Sequence, residues 1–152
     1  MTEIDNWGPG VSRPLLNEPI RRAWLDAVHR ALRATRPPGL VLGEDREPGA
    51  GWNYYGVLIN DGGHRRRLLL NAAAKLVACA HDDDSPAVGL LRFCEVPTPE
   101  VFAAEGFQVA SVELMSSDLR PEYVAALSSD EQADVAYHRP DKVGDVLFNW
   151  FD

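Results

Sequence analysis

The sequence predicts an α+β domain: an N-terminal helix, an antiparallel sheet of about five strands, and C-terminal helices packed on one face. Three observations carry this expectation. The hydrophobic periodicity is helical first, strand-like through the middle and helical again at the end, so a run of strands precedes a run of helices instead of alternating with them. A Gly62-Gly63 pair joins two strand-like segments, the signature of an antiparallel hairpin. The 152 residues contain no internal repeat and no linker, which suits a single domain spanning 1–152.

Residues 1–16 read as an irregular arm, because Gly8, Pro9, Gly10 and Pro14 interrupt any period, and Trp7 is a candidate to pin it. Asn17 is a good N-cap with Pro19 in the first turn. Ile20, Trp24, Val28, Ala31 and Leu32 then recur on one helical stripe. Arg22, Asp26, Arg30 and Arg33 line the polar side, with Asp26 spaced to pair with Arg22 and Arg30. Arg36-Pro37-Pro38-Gly39 ends this helix.

Leu40-Val41-Leu42 is a short strand leading into a charged, Gly/Pro-rich loop from Glu44 to Gly51. Trp52 to Asn60 and His64 to Asn71 form the hairpin around Asp61-Gly62-Gly63. Lys75 to Ala80 and Val88 to Val96 read as further strands, separated by the acidic turn His81 to Pro86. Thr98-Pro99-Glu100 opens a short helix that Gly106 closes, and Phe107 to Met115 alternates as a last strand. Pro121 to Leu127 is helical, Ser129 to Gln132 has capping-box spacing for a second helix, and Pro140 ends it. Asp141 is placed to cap a third helix carrying Val143, Val146, Leu147 and Trp150.

The net charge of −8 is unevenly spread. Residues 1–75 hold 11 Lys/Arg and 8 Asp/Glu, whereas residues 76–152 hold 4 and 15. Such a field repels nucleic acid and anionic membranes and suits either solubility or a cationic protein partner. No apolar run reaches the length of a membrane span, and MTEIDNWGPG lacks the basic start and apolar core of a signal peptide. A cytoplasmic protein is the expectation. Cys79 and Cys94 lie in apolar strand-like segments without CxxC spacing, and read as free buried thiols.

Candidate functional residues fall into three groups. The acidic segments supply Glu44, Asp45, Glu47, Asp82, Asp83 and Asp84 as partner-binding candidates. Trp52, Tyr54 and Tyr55, with Arg66, are ligand-binding candidates; Trp52 and Tyr54 share one strand face and Tyr55, Val57 and Ile59 the other. Asp61 and His64 flank the hairpin glycines, where a carboxylate beside an imidazole could act as a base. A polar hairpin tip with its charges in water is the favoured reading, because no nucleophile or second base stands at a telling spacing. His81 with three adjacent aspartates lacks the alternating ligand spacing of a calcium loop, so no metal is predicted. Phosphate-loop, nucleophile-elbow and dinucleotide-binding patterns are absent, and no cofactor is predicted.

The tail from Arg139 to Asp152 reads Gly144, Asp145, two apolar residues, Phe148, Asn149, Trp150, Phe151 and Asp152. It resembles the C-terminus of small uncharacterised actinobacterial proteins that end in a Gly-acid-apolar-apolar-Phe-Asn-x-aromatic-Asp pattern. The resemblance covers about a tenth of the chain and implies no activity. Physically the segment suits a docking helix: Gly144 permits close approach, Phe148 and Trp150 supply area, and Asn149 and Asp152 can satisfy backbone groups. In size and acidity the chain is also similar to immunity proteins. The leading functional expectation is therefore a protein-binding module, with an immunity-type protein as its specific form; a small cofactor-independent enzyme or small-molecule binder, with its pocket near Trp52–Tyr55 and Asp61/His64, is the alternative.

Overall fold

A computed structural model describes residues 4–49, 51–82 and 91–151. The elements run α1 (Glu18–Ala34), β1 (Leu40–Arg46), β2 (Tyr55–Asp61), β3 (His64–Asn71), β4 (Leu76–His81), β5 (Phe93–Cys94), α2 (Pro99–Ala104), β6 (Gln108–Val109), α3 (Val112–Met115), α4 (Pro121–Ala125), α5 (Ser129–His138) and α6 (Val143–Leu147). Strands β1 to β5 lie side by side in sequence order and pair antiparallel. The free edge of β4 is shared: β5 pairs with Cys79–Ala80, and β6 runs parallel beside Leu76–Val77.

The sheet alternates side chains to two faces, and each face carries its own core. On one face, α1 packs Trp24, Ala27, Val28, Ala31 and Leu32 onto Tyr55, Val57, Ile59, Leu68, Leu70, Val77 and Cys79, with Phe102 of α2 beside them. Leu114 and Met115 of α3 and Val143, Val146, Leu147 and Phe148 around α6 cover Leu69, Leu76 and Ala78 on the other. The C-terminal helices thus pack on one face, and α1 with α2 closes the second. Each large side chain buried in this way contributes about 1.5–3 kcal/mol.

The N-terminal half of α1 follows its sequence signals: the Asn17 side chain accepts the Ile20 N–H at 3.1 Å. The polar side differs from expectation. Arg22 turns to Glu18, and Arg30 reaches Glu105 just past α2 at 2.8 Å, so the pairs with Asp26 do not form. Arg22 thus takes an acid one turn earlier in the same helix, and Arg30 a tertiary partner in place of an intrahelical pair worth only about 0.2–0.5 kcal/mol.

Further differences sit at element ends. Glu44, Asp45 and Arg46 belong to β1 and not to a loop, since register shifts at Val41/Gly43 and Glu44/Arg46 let this charged edge strand stay paired with β2. Phe107 to Met115 is not one strand: Gln108–Val109 pairs with β4, and Ser111 then accepts the Leu114 N–H at 3.1 Å to start α3. Thr98 sits at φ 47° and does not cap; its hydroxyl donates to the Ala31 carbonyl and ties α2 to α1. The capping box of α5 is Ser128 with Glu131, one residue earlier than expected. Lys142, not Asp141, precedes α6, and Asp145 accepts its backbone N–H at 3.3 Å. Of the strand expected over Val88 to Val96, Phe93–Cys94 is paired, while its first residues lie outside those described.

The described residues of the arm form no helix or strand, yet Ile4, Val11 and Ser12 are buried. Trp7 pins it as anticipated, donating from Nε1 to the Tyr123 carbonyl at 2.8 Å with the two rings 5.3 Å apart. Among the described residues no helix is long and apolar enough to cross a membrane.

Candidate functional site: an acidic cleft at the sheet edge

The open end of the α1 face, where the first turn of α1 meets the end of β1, holds a cleft of about 720 Å³. Leu16, Glu18, Arg21, Glu44, Asp45, Arg46, Glu47 and Tyr55 line it. It forms because β1 is an edge strand whose bulged end carries three acids within four residues, opposite an N-terminal helical turn that favours another acid. The lining thus includes four acidic and two basic residues, of which Asp45 and Arg46 turn their charged groups to Arg67 and Tyr54. Leu16 is 62% exposed and gives the rim an apolar surface.

The carboxylates are not equivalent. Arg21 bridges Glu18, at 2.8 Å, and Glu44, and its hydrogen bond to Glu44, with the charges of both acids, holds its guanidinium above the ordinary arginine range. Asp45 accepts two hydrogen bonds from Arg67, at 2.9 and 2.6 Å, and Arg67 is almost wholly buried. Gly56 makes room for this contact: a Cβ there would lie 3.1 Å from the Asp45 carboxylate and 3.2 Å from Arg67 Cδ. Glu47 is exposed and, among the described residues, forms no ion pair.

Asp82, expected with the acidic loop, sits on the far side of Arg67 at 3.5 Å and pairs with Arg65 at 3.2 Å. A row of alternating charge, Asp45, Arg67, Asp82 and Arg65, therefore crosses the sheet. Asp83 and Asp84 lie outside the described residues. Among those described, no group of His, Cys, Asp and Glu is arranged to hold a metal ion.

The aromatic candidates separate. Tyr55 points to the α1 face, its ring 6.4 Å from Trp24 and its hydroxyl accepting the Asn17 N–H at the cleft floor. Tyr54 points to the opposite face against Phe148, at 5.7 Å. Arg46 donates to the Tyr54 hydroxyl and lies over the Trp52 ring at 4.4 Å from its centroid. Burial pushes the Tyr54 hydroxyl above its ordinary range, against the pull of Arg46 and Arg67. Both tyrosines are 5% exposed or less, so the rings serve as core and not as an open platform.

The hairpin tip does not assemble a dyad. Asp61 and His64 face each other across the Gly62-Gly63 turn, with both glycines at positive φ. The Asp61 carboxylate accepts from Arg66 at 3.2 Å, and His64 is exposed. Among the described residues no side-chain hydrogen bond joins the Asp61 carboxylate to the His64 imidazole.

Sequence reasoning found Glu44, Asp45, Glu47 and Tyr55 but missed Leu16, Glu18, Arg21 and Arg46. A helix start rich in charge was visible, but its apposition to β1 is tertiary. Comparison with protein-family models, curated proteins and solved structures finds no match.

Proposed function

We propose that the chain is a protein-binding module that takes a cationic segment of a partner into the acidic cleft, as an immunity-type protein neutralising a basic toxin or enzyme would. The observation that carries this reading is the placement of Glu18, Glu44 and Glu47 as exposed carboxylates around one concavity with Leu16 at its rim. A lysine or arginine suits such a surface, since its aliphatic stem covers the leucine while its head meets the acids. The net charge of −8 adds a long-range field that speeds encounter with a basic partner.

The test is capture of partners by the tagged chain from a lysate of its source, beside a Glu44→Gln/Glu47→Gln variant, at low and at high salt. The reading expects a basic protein held at low salt, released as salt screens the cleft, and held less by the variant. A partner retained equally by the variant, or equally at high salt, sinks it.

A further inference from the structure

Cys79 and Cys94 stand directly opposite each other on β4 and β5, with their sulfurs 3.2 Å apart. Both are free thiols. Residues opposed in an antiparallel ladder have Cα atoms about 4.5–5.5 Å apart, inside the roughly 4.4–6.8 Å that a disulfide spans. No backbone rearrangement is needed to join them.

We infer that Cys79 and Cys94 form a redox-active dithiol, which a hydroperoxide oxidises reversibly to a disulfide that clamps β5 onto β4. The two thiols are unequal in a way that assigns their roles. Cys79 is fully buried under the α1 face, whereas Cys94 is half-buried on the edge strand and accessible to a small oxidant. Arg66 lies on the same sheet face as Cys79, and its positive charge favours ionisation of both sulfurs. The contact between the two sulfurs and the charge of Arg66 pull the Cys94 thiol down, whereas the same contact and burial push the Cys79 thiol up, which makes Cys94 the attacking sulfur.

The chemistry balances with the hydroperoxide as sole oxidant. The Cys94 thiolate attacks the terminal peroxide oxygen, forming an S–O bond and breaking the O–O bond. The leaving alkoxide takes a proton to become an alcohol, and Cys94 is left as a sulfenic acid, oxidised by two electrons. Cys79 then attacks the Cys94 sulfur; the S–S bond forms, the S–O bond breaks, and the departing hydroxide leaves as water with the Cys79 proton. A dithiol reductant reverses the bond by exchange.

The consequence is local and mechanical. Among the described residues, β5 pairs with β4 at Cys79–Cys94 and Ala80–Phe93, continued by the His81 N–H donating to the Arg92 carbonyl at 2.8 Å. A covalent link there would fix the edge strand that Phe93 uses to reach Phe148, at 5.9 Å between ring centroids, on the opposite core.

The experiment treats the reduced full chain with stoichiometric hydrogen peroxide and follows thiol alkylation, intact mass and peptide mapping. Expected are loss of both alkylatable thiols, a mass lower by two hydrogens, one crosslinked peptide pair containing Cys79 and Cys94, and full recovery of thiols with dithiothreitol. In Cys79→Ser, the sulfenic acid should persist at Cys94 and be trapped by a cyclic 1,3-dione. Two thiols surviving in the wild type, or Cys94 passing to sulfinic acid without a crosslink, would overturn the inference. So would a bond that the folded chain keeps in dithiothreitol, since that is a structural disulfide. The wild-type measurement stands even if the Cys79→Ser variant does not fold.

Discussion

The Glu131 carboxylate accepts the Ser12 hydroxyl at 2.5 Å and the Ser12 backbone N–H at 2.9 Å, joining the first turn of α5 to the arm 119 residues earlier. Its other oxygen takes the Gly10 N–H and, in the capping box, the Ser128 N–H and hydroxyl. The side chain is fully buried and, among the described residues, forms no ion pair. Burial alone would push this carboxyl up; the hydrogen bonds outweigh that and hold it down at about 2.

This makes the arm acid-sensitive. A group whose folded pKa lies below its unfolded value of 4.5 contributes stability above that value and loses it as pH falls toward about 2. The full contribution is on the order of 3 kcal/mol. Glu131→Gln should therefore lower stability by about 2–3 kcal/mol at pH 7, and the gap from wild type should narrow steadily below pH 4.5. Urea unfolding at pH 7 and in the acid range measures both; a gap independent of pH would mean that the carboxylate's charge is not what holds the arm.

Gly144 supports a second prediction, about packing. A Cβ there would fall 2.6 Å from a Phe93 ring carbon and 2.8 Å from the Met115 carbonyl oxygen. Because one obstacle is backbone, Gly144→Ala should destabilise by about 1–3 kcal/mol, and a companion Phe93→Leu change should recover only part of that. Complete rescue by Phe93→Leu in denaturant unfolding would show that the ring alone sets the limit.

Much of this architecture is legible in the chain because local and tertiary demands agree. Asn17, Pro19 and the stripe from Ile20 to Leu32 mark α1, and Gly62-Gly63 specifies the hairpin because both positions require positive φ. Legibility fails where two local signals are equivalent or where burial depends on a distant segment. Ser128 and Ser129 offer equally good caps, with Glu131 and Gln132 both at suitable spacing, and only the arm's need for Glu131 selects the first. The charged end of β1 looks like a loop until Val57 and Gly56 pair with it. The same dependence hides half of the cleft, since Arg21 and Glu44 meet across 23 residues of chain.

The tail offers a third prediction. Asn149 is buried and its amide nitrogen donates to the Ser12 and Val146 carbonyls, both at 2.8 Å, while its backbone N–H donates to Asn53 Oδ1. Asn53 and Asn71 each donate to the Leu147 carbonyl, so three buried amides close the end of α6 against the arm and sheet. Asn149→Asp would turn a donor into a carboxylate facing two carbonyl oxygens in a dry site. Thermal unfolding should show a loss of roughly 3 kcal/mol or more, far exceeding Asn149→Ala; equal losses would indicate that the carboxyl finds a new donor.

The cleft yields the last prediction, because its acids divide by what each already holds. Asp45 is committed to Arg67, whose guanidinium is nearly buried and whose other acidic partner among the described residues is Asp82 at 3.5 Å. Asp45→Asn should therefore cost about 1–3 kcal/mol of stability, leaving a buried cation short of its closest counter-charge. Glu47, exposed and in no ion pair among the described residues, should give stability within about 0.5 kcal/mol of wild type as Glu47→Gln, while slowing association with a cationic partner. Parallel denaturant titrations and salt-dependent association rates separate the two. If Glu47→Gln changes neither, the cleft's acids are a solvated rim; if Asp45→Asn leaves stability intact, Asp82 alone is enough to hold Arg67.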